Sequence, residues 1–169
     1  MILIRAAEAS DAALILSFVR ALAKYEKLQH AAVASEQDLL RDGFPAAGSE
    51  PRFRCLIAEW NGTPAGFALY FYSYSTFQGR AGIWLEDLFV KPEFRGKGIG
   101  KSLLLEVARI AVRENCGRYS WQVLDWNKPS IEFYQSLGAK LMSEWLTMRV
   151  EGEALEKLAA LAKAAQAHD

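Results

Sequence analysis

One stretch of the sequence, residues 84–106, restricts the fold more than any other. An apolar run at residues 83–90 predicts a strand, Lys91-Pro92-Glu93 predicts a turn, and a glycine-rich loop at residues 95–100 opens directly into an amphipathic helix. The start of a helix has backbone N–H groups without partners and carries the positive end of the helix dipole, so it stabilises a bound anion. The stretch therefore predicts a strand, loop and helix that bind phosphate.

The residue types in this loop favour a phosphate site over a plain connection. Gly96, Gly98 and Gly100 let a ligand approach the backbone closely, because glycine has no side chain and tolerates positive φ. Arg95 and Lys97 add positive charge. A connection that only turns the chain needs neither three alternating glycines nor two cations, so we favour the phosphate site.

Two common phosphate-binding loops do not fit the spacing. A Walker A loop requires glycine five residues before Gly100-Lys101-Ser102, where this chain has Arg95. A Rossmann fingerprint requires G-x-G-x-x-G, whereas the glycines here run G-x-G-x-G and no βαβ unit begins the chain. The spacing therefore argues against nucleoside triphosphate and dinucleotide ligands. What remains is Arg-x-x-Gly-x-Gly directly after a strand.

The composition limits the classes of protein and partner. At 169 residues, of which 51% are hydrophobic and 24% charged, the chain is long enough for one compact domain. Its 20 basic and 20 acidic residues give no net charge, which argues against a nucleic-acid partner. No segment reaches the ~18 apolar residues of a membrane helix, and the first residues lack the pattern of a secretion signal. We therefore expect a cytoplasmic protein without a membrane partner.

The two cysteines predict neither a disulfide framework nor a metal site. Cys55 and Cys116 lie far apart in sequence without C-x-x-C spacing, and the only histidines are His30 and His168. We expect both thiols to be reduced and structural, and we expect no metal.

The hydrophobic patterns predict one α/β domain over residues 1–169, without internal repeats or a long linker. Three consecutive strands, at residues 53–60, 63–74 and 83–90, are joined by turns such as Asn61-Gly62 and should form an antiparallel meander. The other predicted elements are, in chain order, a strand at residues 2–5, a helix from Ser10 or Asp11 to about Gln29, a helix after Ser35 that ends near Gly43, the helix after the glycine-rich loop, a strand at residues 119–124, a helix at residues 127–138 capped by Asn127, closing strands at residues 139–142 and 145–150, and a C-terminal helix at about residues 153–166.

The loop pattern and the element order, βααβββαβαββ, resemble the GNAT superfamily of N-acetyltransferases, in which such a loop holds the pyrophosphate of acetyl-CoA. Particular residues resemble its diamine acetyltransferase branch, which includes spermidine/spermine and thialysine acetyltransferases. The resemblance extends to about Val150 and is carried by Leu22-Ala23-Lys24-Tyr25-Glu26, Asp38-Leu39-Leu40, Asp42-Gly43-Phe44, Leu85-Glu86-Asp87, Phe89-Val90, Arg95-Gly96, Gly98-Ile99-Gly100, Trp126-Asn127, Pro129-Ser130 and Phe133-Tyr134.

This resemblance implies a fold, a reaction and an assembly. The implied fold is the α/β GNAT fold, a mixed and mostly antiparallel central sheet flanked by helices in a single domain. The implied reaction moves an acetyl group from acetyl-CoA to a primary amine of a small cationic acceptor, by direct attack in a ternary complex and without a metal. The family also implies a homodimer. The residues implied in binding acetyl-CoA are Leu88, Phe89, Val90, Arg95, Gly96, Lys97, Gly98, Ile99, Gly100, Lys101, Asn127, Pro129 and Ser130.

Transfer to an amine requires removal of a proton, and Glu86 and Asp87 are candidates to receive it. An alkyl ammonium has a pKa of roughly 10.4, so only roughly a few molecules in ten thousand are neutral at pH 7. The two carboxylates lie near the end of the predicted strand, where alternation sends them to opposite faces, so only one can face a given cleft. The resemblance implies that Glu86 holds or deprotonates the amine. From the residues alone, a solvated or salt-bridged carboxylate at a strand end is an equal alternative.

The departing CoA thiolate requires a proton, and the resemblance implies Tyr134 as its donor. The phenol has a reference pKa of ~10 against ~8.5 for a thiol, an uphill transfer of roughly 2 kcal/mol that an active site can offset. The alternative is an aromatic side chain packed in the core, which suits the neighbouring Phe133 better.

Carboxylates and an aromatic face suit a cationic acceptor. The candidates are Tyr25, Glu26, Glu86, Asp87 and Glu144. The segment between Gly138 and Trp145 is shorter than in the diamine enzymes, so the match of Glu144 to their acceptor-binding glutamate stays open. A polyamine, a diamine, a thialysine-like amino acid and another small primary amine all fit. Two alternatives are acetylation of a protein or peptide amine and a non-catalytic acyl-CoA-binding module.

Overall fold

The computed structural model describes residues 1–166, in two compact units that meet in sequence between Gln122 and Val123. The first unit contains a five-stranded sheet and three α-helices. They are β1 Ile2–Ala6, α1 Ala12–Tyr25, α2 Glu36–Gly43, β2 Arg54–Trp60, β3 Thr63–Ser75, β4 Arg80–Val90, α3 Ile99–Arg113 and β5 Arg118–Trp121.

The sheet is mixed and mostly antiparallel, as predicted. Its strands lie in chain order, with β1 to β4 antiparallel and β5 parallel to β4. Strands β2, β3 and β4 form the predicted meander. The parallel step from β4 to β5 requires a crossover connection, and α3 provides it.

Helices cover both faces of this sheet. Residues 55–58 of β2 are all buried. Successive side chains of a strand point to opposite faces of the sheet, so both faces must be covered here. On one face, α1 and α2 join a core cluster in which the Phe18 ring stacks on Phe67, with 5.4 Å between ring centroids. The buried side chains Leu103 and Val107 of α3 lie outside that cluster and cover the other face.

The first helix is shorter than predicted. It ends at Tyr25 instead of about Gln29, because Lys27 adopts a left-handed backbone conformation with φ of 62°. The Leu28 amide then donates to the Ala23 carbonyl at 2.8 Å, which closes the helix end. Neither glycine nor proline marks this end in the sequence, so the prediction placed it too late.

The helix predicted after Ser35 begins with a capping box formed by Ser35 and Asp38. The Asp38 amide donates to the Ser35 hydroxyl at 3.2 Å, and the Ser35 amide donates to the Asp38 carboxylate at 2.9 Å. The Arg41 guanidinium also binds Asp38, and these contacts lower the pKa of that carboxyl to about 2, with the Ser35 hydroxyl as the main cause.

A bulge interrupts β4 at Glu86, four residues before the strand ends at Val90. Asp87 lies opposite Leu69 and Leu85 lies opposite Tyr70, so Glu86 has no partner residue on β3. An extra residue of this kind breaks the strict alternation of side chains and redirects the strand. The alternation argument, from which Glu86 and Asp87 were predicted to lie on opposite faces, therefore does not hold at this position.

Strand β5 pairs with only part of β4. It ends at Trp121 instead of residue 124, and its partners are the four residues from Gly82 to Leu85. Residues 87–90 of β4 pair with β3, and none of residues 86–90 pairs with β5. The end of β4 that precedes the glycine-rich loop therefore has one free backbone edge in this unit.

The second unit contains α4 Lys128–Ser136 and α5 Glu153–Gln166, both close to the predicted ranges. The closing strands predicted at residues 139–142 and 145–150 were wrong, because the chain between Gly138 and Glu153 forms no strand. The apolar side chains there are exposed, with Leu146 at 86% and Met148 at 90%. Apolar residues at alternate positions predict a strand only where a neighbouring strand is available to pair with it.

Within residues 1–166, no helix combines the length and apolar composition required to cross a membrane.

Candidate active site

The glycine-rich loop has the backbone geometry of an anion site. Gly96 and Gly98 have φ of 75° and 80°, a conformation that favours glycine, and Gly98 is the N-cap residue of α3. No protein atom lies within 4 Å of where a Cβ would stand on either glycine, so ligand atoms have room beside the backbone. Ile99 is buried and anchors the first turn of the helix. The loop therefore presents an open helix N-terminus.

The cations of the loop have no carboxylate partners among the described residues. The Arg95 guanidinium lies over the Tyr25 ring at 4.8 Å from its centroid, and its Nε donates to the Val90 carbonyl at 3.1 Å. The Lys97 ammonium lies over the Trp60 ring at 5.6 Å. Lys101 is exposed on the first turn of α3. These charges are available to a phosphate group, because aromatic and carbonyl contacts do not neutralise them.

The free edge of β4 adjoins this loop. Leu88 and Val90 are partly buried and Phe89 packs in the core beside Phe18, which holds the strand end in place. Backbone N–H and C=O groups on a free edge can pair with an extended chain or with the amides of a ligand. The structure thus brings the predicted residues 88–90 and the loop at 95–100 together at one end of β4.

Three carboxylates from two elements form an acidic group, defined here as Glu26, Glu86 and Asp87. Glu26 follows α1, and the other two lie at the bulge of β4. Burial raises the pKa of Asp87 to about 7, with smaller contributions from the charges of Glu86 and Glu26. Burial also raises the pKa of Glu26. Because Glu26 and Asp87 are partly desolvated and lie near a third carboxylate, Glu86, the group can stabilise a cation.

Glu86 and Asp87 have different surroundings. Glu86 is exposed, and its Oε2 accepts a hydrogen bond of 2.9 Å from Nε1 of Trp84. Asp87 is partly buried and, within residues 1–166, its side chain makes no hydrogen bond or ion pair. Sequence reasoning missed Trp84; its i, i+2 spacing from Glu86 on a strand was the available signal.

The end of α1 connects the acidic group to the loop. Tyr25 is half-exposed beneath Arg95, and the next residue is Glu26. The sequence could not predict this contact, because it depends on how α1 packs beside β4. Four of the candidate acceptor-binding residues therefore lie in the first unit beside the glycine-rich loop: Tyr25, Glu26, Glu86 and Asp87.

The remaining candidates lie in the second unit. Tyr134 is partly buried on α4, with its ring 5.4 Å from that of Phe133. Asn127 is the N-cap of α4, but its side chain makes no capping hydrogen bond. Its backbone carbonyl accepts a hydrogen bond of 3.1 Å from the Ser130 amide. Pro129 occupies the first turn of the helix, as predicted. Glu144 is exposed in the chain between α4 and α5, outside any helix or strand.

A cavity of about 380 Å³ lies elsewhere in the first unit and contains none of the candidate residues. It is lined by residues of β2, of the chain that precedes it and of α3. Its charges are paired: Arg113 donates to Glu114 at 3.0 Å, and Glu106 binds Arg109. The cavity therefore concentrates no charge of one sign that would suit a phosphate or a cationic acceptor.

Among residues 1–166, no three His, Cys, Asp or Glu side chains are grouped so that they could hold a metal ion. Cys55 and Cys116 are both free.

Similar proteins bear directly on this arrangement. The Acetyltransferase (GNAT) family matches residues 19–139, from within α1 through α4 and across both compact units. A thialysine N-epsilon-acetyltransferase from Sus scrofa is 43% identical over 169 residues, covering 94% of this chain and 97% of that protein. Spermidine/spermine N(1)-acetyltransferase-like protein 1 from Homo sapiens is 38% identical over 166 residues, which are 92% of this chain but 23% of that protein.

A solved structure shares the fold. An integron cassette protein from the mobile metagenome of V. cholerae matches with a TM-score of 0.76 at 30% sequence identity. The match covers 94% of this chain and 97% of that chain.

Proposed function

The chain belongs to the GNAT acetyltransferase family and has its α/β fold, and from this we propose that it transfers the acetyl group of acetyl-CoA to a primary amine of a small cationic acceptor. The amine attacks the thioester directly in a ternary complex. The observation that carries this proposal is the arrangement at the end of β4, where the acidic group of Glu26, Glu86 and Asp87 adjoins an open, cationic glycine loop.

The glycine loop suits the pyrophosphate of acetyl-CoA. The amides at the start of α3, together with Arg95 and Lys97, provide N–H donors and positive charge around the space beside Gly96 and Gly98. The loop residues assigned to this role are Arg95, Gly96, Lys97, Gly98, Ile99, Gly100 and Lys101. The free edge at Leu88, Phe89 and Val90 suits the amide-bearing pantetheine arm, which would pair as a short additional strand.

Asn127, Pro129 and Ser130 are proposed to contact the same cofactor. The support is family membership, together with the finding that the Asn127 side chain is not used to cap α4. Its amide group therefore remains able to bind a ligand.

The acceptor is proposed to be a polyamine, a diamine or a thialysine-like amino acid. Desolvated carboxylates favour an alkyl ammonium, and the aromatic face of Tyr25 adds a cation–π surface. Relatives named for thialysine and for spermidine/spermine acetylation support acceptors of this kind. Glu144 is retained as a candidate contact to the acceptor.

Two groups are proposed to move protons. Glu86 holds the amine or takes its proton, directly or through water, and Tyr134 protonates the departing CoA thiolate. A protonated thiol leaves more readily than a thiolate, so a phenol at the sulfur raises kcat.

We propose that the protein is a cytoplasmic homodimer that binds neither nucleic acid nor membrane. Free thiols at Cys55 and Cys116 suit a reducing compartment. Exposed apolar side chains of the second unit support association, because many large exposed apolar side chains in one region are uncommon on a monomer. They include Leu141, Met142, Trp145, Leu146, Met148, Leu155, Leu158 and Leu161.

The proposal is tested by release of free CoA thiol from acetyl-CoA with thialysine, spermidine, putrescine, lysine and a lysine-bearing peptide as acceptors. We expect turnover of a small amine and a kcat lowered roughly a hundredfold in Tyr134→Phe, within the range of general acid catalysis. Tyr74→Phe, which removes a hydroxyl from an exposed tyrosine of β3, is the matched control and should leave kcat unchanged.

Other results would favour the alternatives. Turnover of the peptide alone would indicate a protein acetyltransferase. Binding of acetyl-CoA without turnover of any acceptor would indicate an acyl-CoA-binding module, and failure to bind acetyl-CoA would contradict the loop assignment.

A further inference from the structure

We propose that Asp87, and not Glu86, receives the proton of the acceptor ammonium, while Glu86 holds and orients that ammonium. This inference rests on the proposed function and divides between two adjacent carboxylates a role that the sequence resemblance gives to one. It follows from three features of the molecule: the position of Asp87 after the bulge, the absence of hydrogen bonds to its carboxyl group within residues 1–166, and the hydrogen bond that occupies Glu86.

The bulge determines where Asp87 lies. Because Glu86 has no partner on β3, Asp87 takes the position opposite Leu69 and falls on the same face as Phe89, two residues further along β4. Leu69 and Phe89 both belong to the core cluster beneath α1. Asp87 therefore stands at the margin of an apolar core, where water solvates its charge poorly.

The charged and titratable groups around Asp87 disfavour its ionised form. Glu86 lies on the same strand, Glu26 follows α1, and the thiol of Cys55 lies on β2. In the described part of the chain, no lysine or arginine forms an ion pair with Asp87 to offset the two carboxylates. A proton bound to Asp87 therefore lowers both the desolvation cost and the repulsion, and its pKa is about 7.

Glu86 is suited to a different task. It is exposed, and one of its oxygens accepts the Trp84 indole N–H, which fixes the orientation of the carboxylate. A carboxylate that is held in place in this way can bind an ammonium ion and fix its position. One of its two oxygens is already engaged by the indole N–H, which suits Glu86 to orienting the ammonium.

The step balances in protons. The Asp87 carboxylate accepts one N–H proton from R–NH₃⁺, and the neutral amine attacks the thioester carbonyl carbon. The C–N bond forms, the C–S bond breaks, and the nitrogen loses a second proton as the thiolate sulfur gains one. Asp87 then releases its proton to water, so that one proton is produced for each acetyl group transferred.

The pKa of the carboxyl group that receives the proton determines how readily this proton transfer occurs. An ammonium of pKa roughly 10.4 gives its proton to an ordinary aspartate across a gap of about 6.5 units, and to a carboxyl near 7 across a gap of about 3.4 units. The population of neutral amine beside the base rises by about a thousandfold as a result.

The test is the pH dependence of kcat/KM for thialysine in the wild type, Asp87→Asn and Glu86→Gln. We expect the wild type to gain about tenfold per pH unit up to about pH 7 and then to level off, because kcat/KM reports the free enzyme's base. In Asp87→Asn the plateau should be absent, with kcat at pH 7 lowered about a hundredfold or more. Glu86→Gln should keep the break near pH 7 and mainly raise KM.

An acceptor that needs no base provides a second readout. We expect a thialysine analogue with fluorine atoms beside the ε-amine, which lower the amine pKa towards about 7, to restore most of the kcat of Asp87→Asn but not the KM of Glu86→Gln. A merely structural role for Asp87 would lower kcat for both acceptors equally. Circular dichroism and acetyl-CoA binding of Asp87→Asn establish that the variant is folded.

The contrary results are equally definite. A break near pH 7 that persists in Asp87→Asn, or that disappears only in Glu86→Gln, overturns this inference while the acetyltransferase function stands. Absence of turnover in the wild type with every small amine contradicts the proposed function and this inference together.

Discussion

At the scale of single residues, one extra position in β4 changes the chemistry of its neighbour. The sequence Leu85-Glu86-Asp87 predicts two carboxylates on alternating faces, but the bulge at Glu86 places Asp87 at the margin of the core. A buried carboxyl without a cationic partner lowers the stability of the fold at neutral pH. This cost is typical of residues retained for function, and it can be measured.

Asp87→Asn is expected to stabilise the protein at pH 8 and to have little effect on stability at pH 4. The pKa of Asp87 is about 7 when folded against 3.8 when unfolded, so the folded state binds more protons between these values and stability falls as pH rises through them. By this linkage, removing the charge should recover up to about 4 kcal/mol at pH 8, or about 8–16 °C in Tm. Thermal melts of both proteins at the two pH values measure it. An equal gain at pH 4 would show that the titration of Asp87 is not its cause.

Phe67→Ala is expected to lower the free energy of unfolding by about 3–5 kcal/mol. Phe67 is 0% exposed and stacks on Phe18 between α1 and the sheet, so truncation leaves a cavity in the core cluster. Phe77→Ala is the control, because Phe77 is 97% exposed and should change stability by less than about 0.5 kcal/mol. Urea unfolding of the two variants gives the comparison, and similar losses would contradict this description of the core.

At the scale of elements, sequence patterns predicted most helices and strands because their signals are local. The Ser35 cap, the meander of β2 to β4 and the loop before α3 were all predicted from nearby residues. The end of α1 at Tyr25 was not, because a left-handed Lys27 leaves no mark in composition. The closing strands at residues 139–142 and 145–150 failed for a different reason, since a strand requires a partner edge that its own sequence does not reveal.

The candidate site was predictable in part, for the same physical reason. The glycine loop carries its chemistry within six residues, so its geometry followed from spacing. The contacts of Arg95 with Tyr25 and of Trp84 with Glu86, and the bulge itself, depend on the packing of β4 against its neighbours. These contacts distinguish two adjacent carboxylates that the sequence alone could not tell apart.

Gly98→Ala and Gly48→Ala form a matched pair that tests the loop. Both glycines have positive φ, at 80° and 94°, and neither has a neighbouring atom where the Cβ would stand. Each alanine should therefore cost about 1 kcal/mol or more in stability through backbone strain. Only Gly98→Ala should weaken acetyl-CoA binding, by about tenfold or more, because its methyl group enters the proposed phosphate site. Calorimetric titration with acetyl-CoA measures the difference, and equal affinities would contradict the assignment.

At the scale of the whole molecule, the second unit carries much apolar surface that the described chain does not cover. Trp145 and Leu146 are exposed, as are the leucines of α5. An isolated chain with this surface would tend to associate.

Sedimentation equilibrium is expected to give the mass of a dimer for the wild type and of a monomer for Leu146→Asp/Met148→Asp. A charge placed in a buried apolar interface costs several kcal/mol, enough to dissociate a dimer at micromolar concentration. Val112→Asp, at an exposed apolar position of α3 in the first unit, is the control and should stay dimeric. A wild type that is monomeric, or a control that dissociates equally, would contradict association through the second unit.

The free edge of β4 has a consequence for the stability and turnover of the protein in a cell. Strand β5 ends at Trp121 opposite Leu85, so the backbone groups of β4 from there to Val90 have no partner strand on that edge. The proposed cosubstrate is the molecule that would pair with them. Acetyl-CoA would then stabilise the folded protein, because it binds only the folded state. This stabilisation would increase with the logarithm of the acetyl-CoA concentration. When acetyl-CoA is scarce, the enzyme would lose its substrate and its protection against proteolysis together, so that its abundance would follow the supply of the acetyl donor.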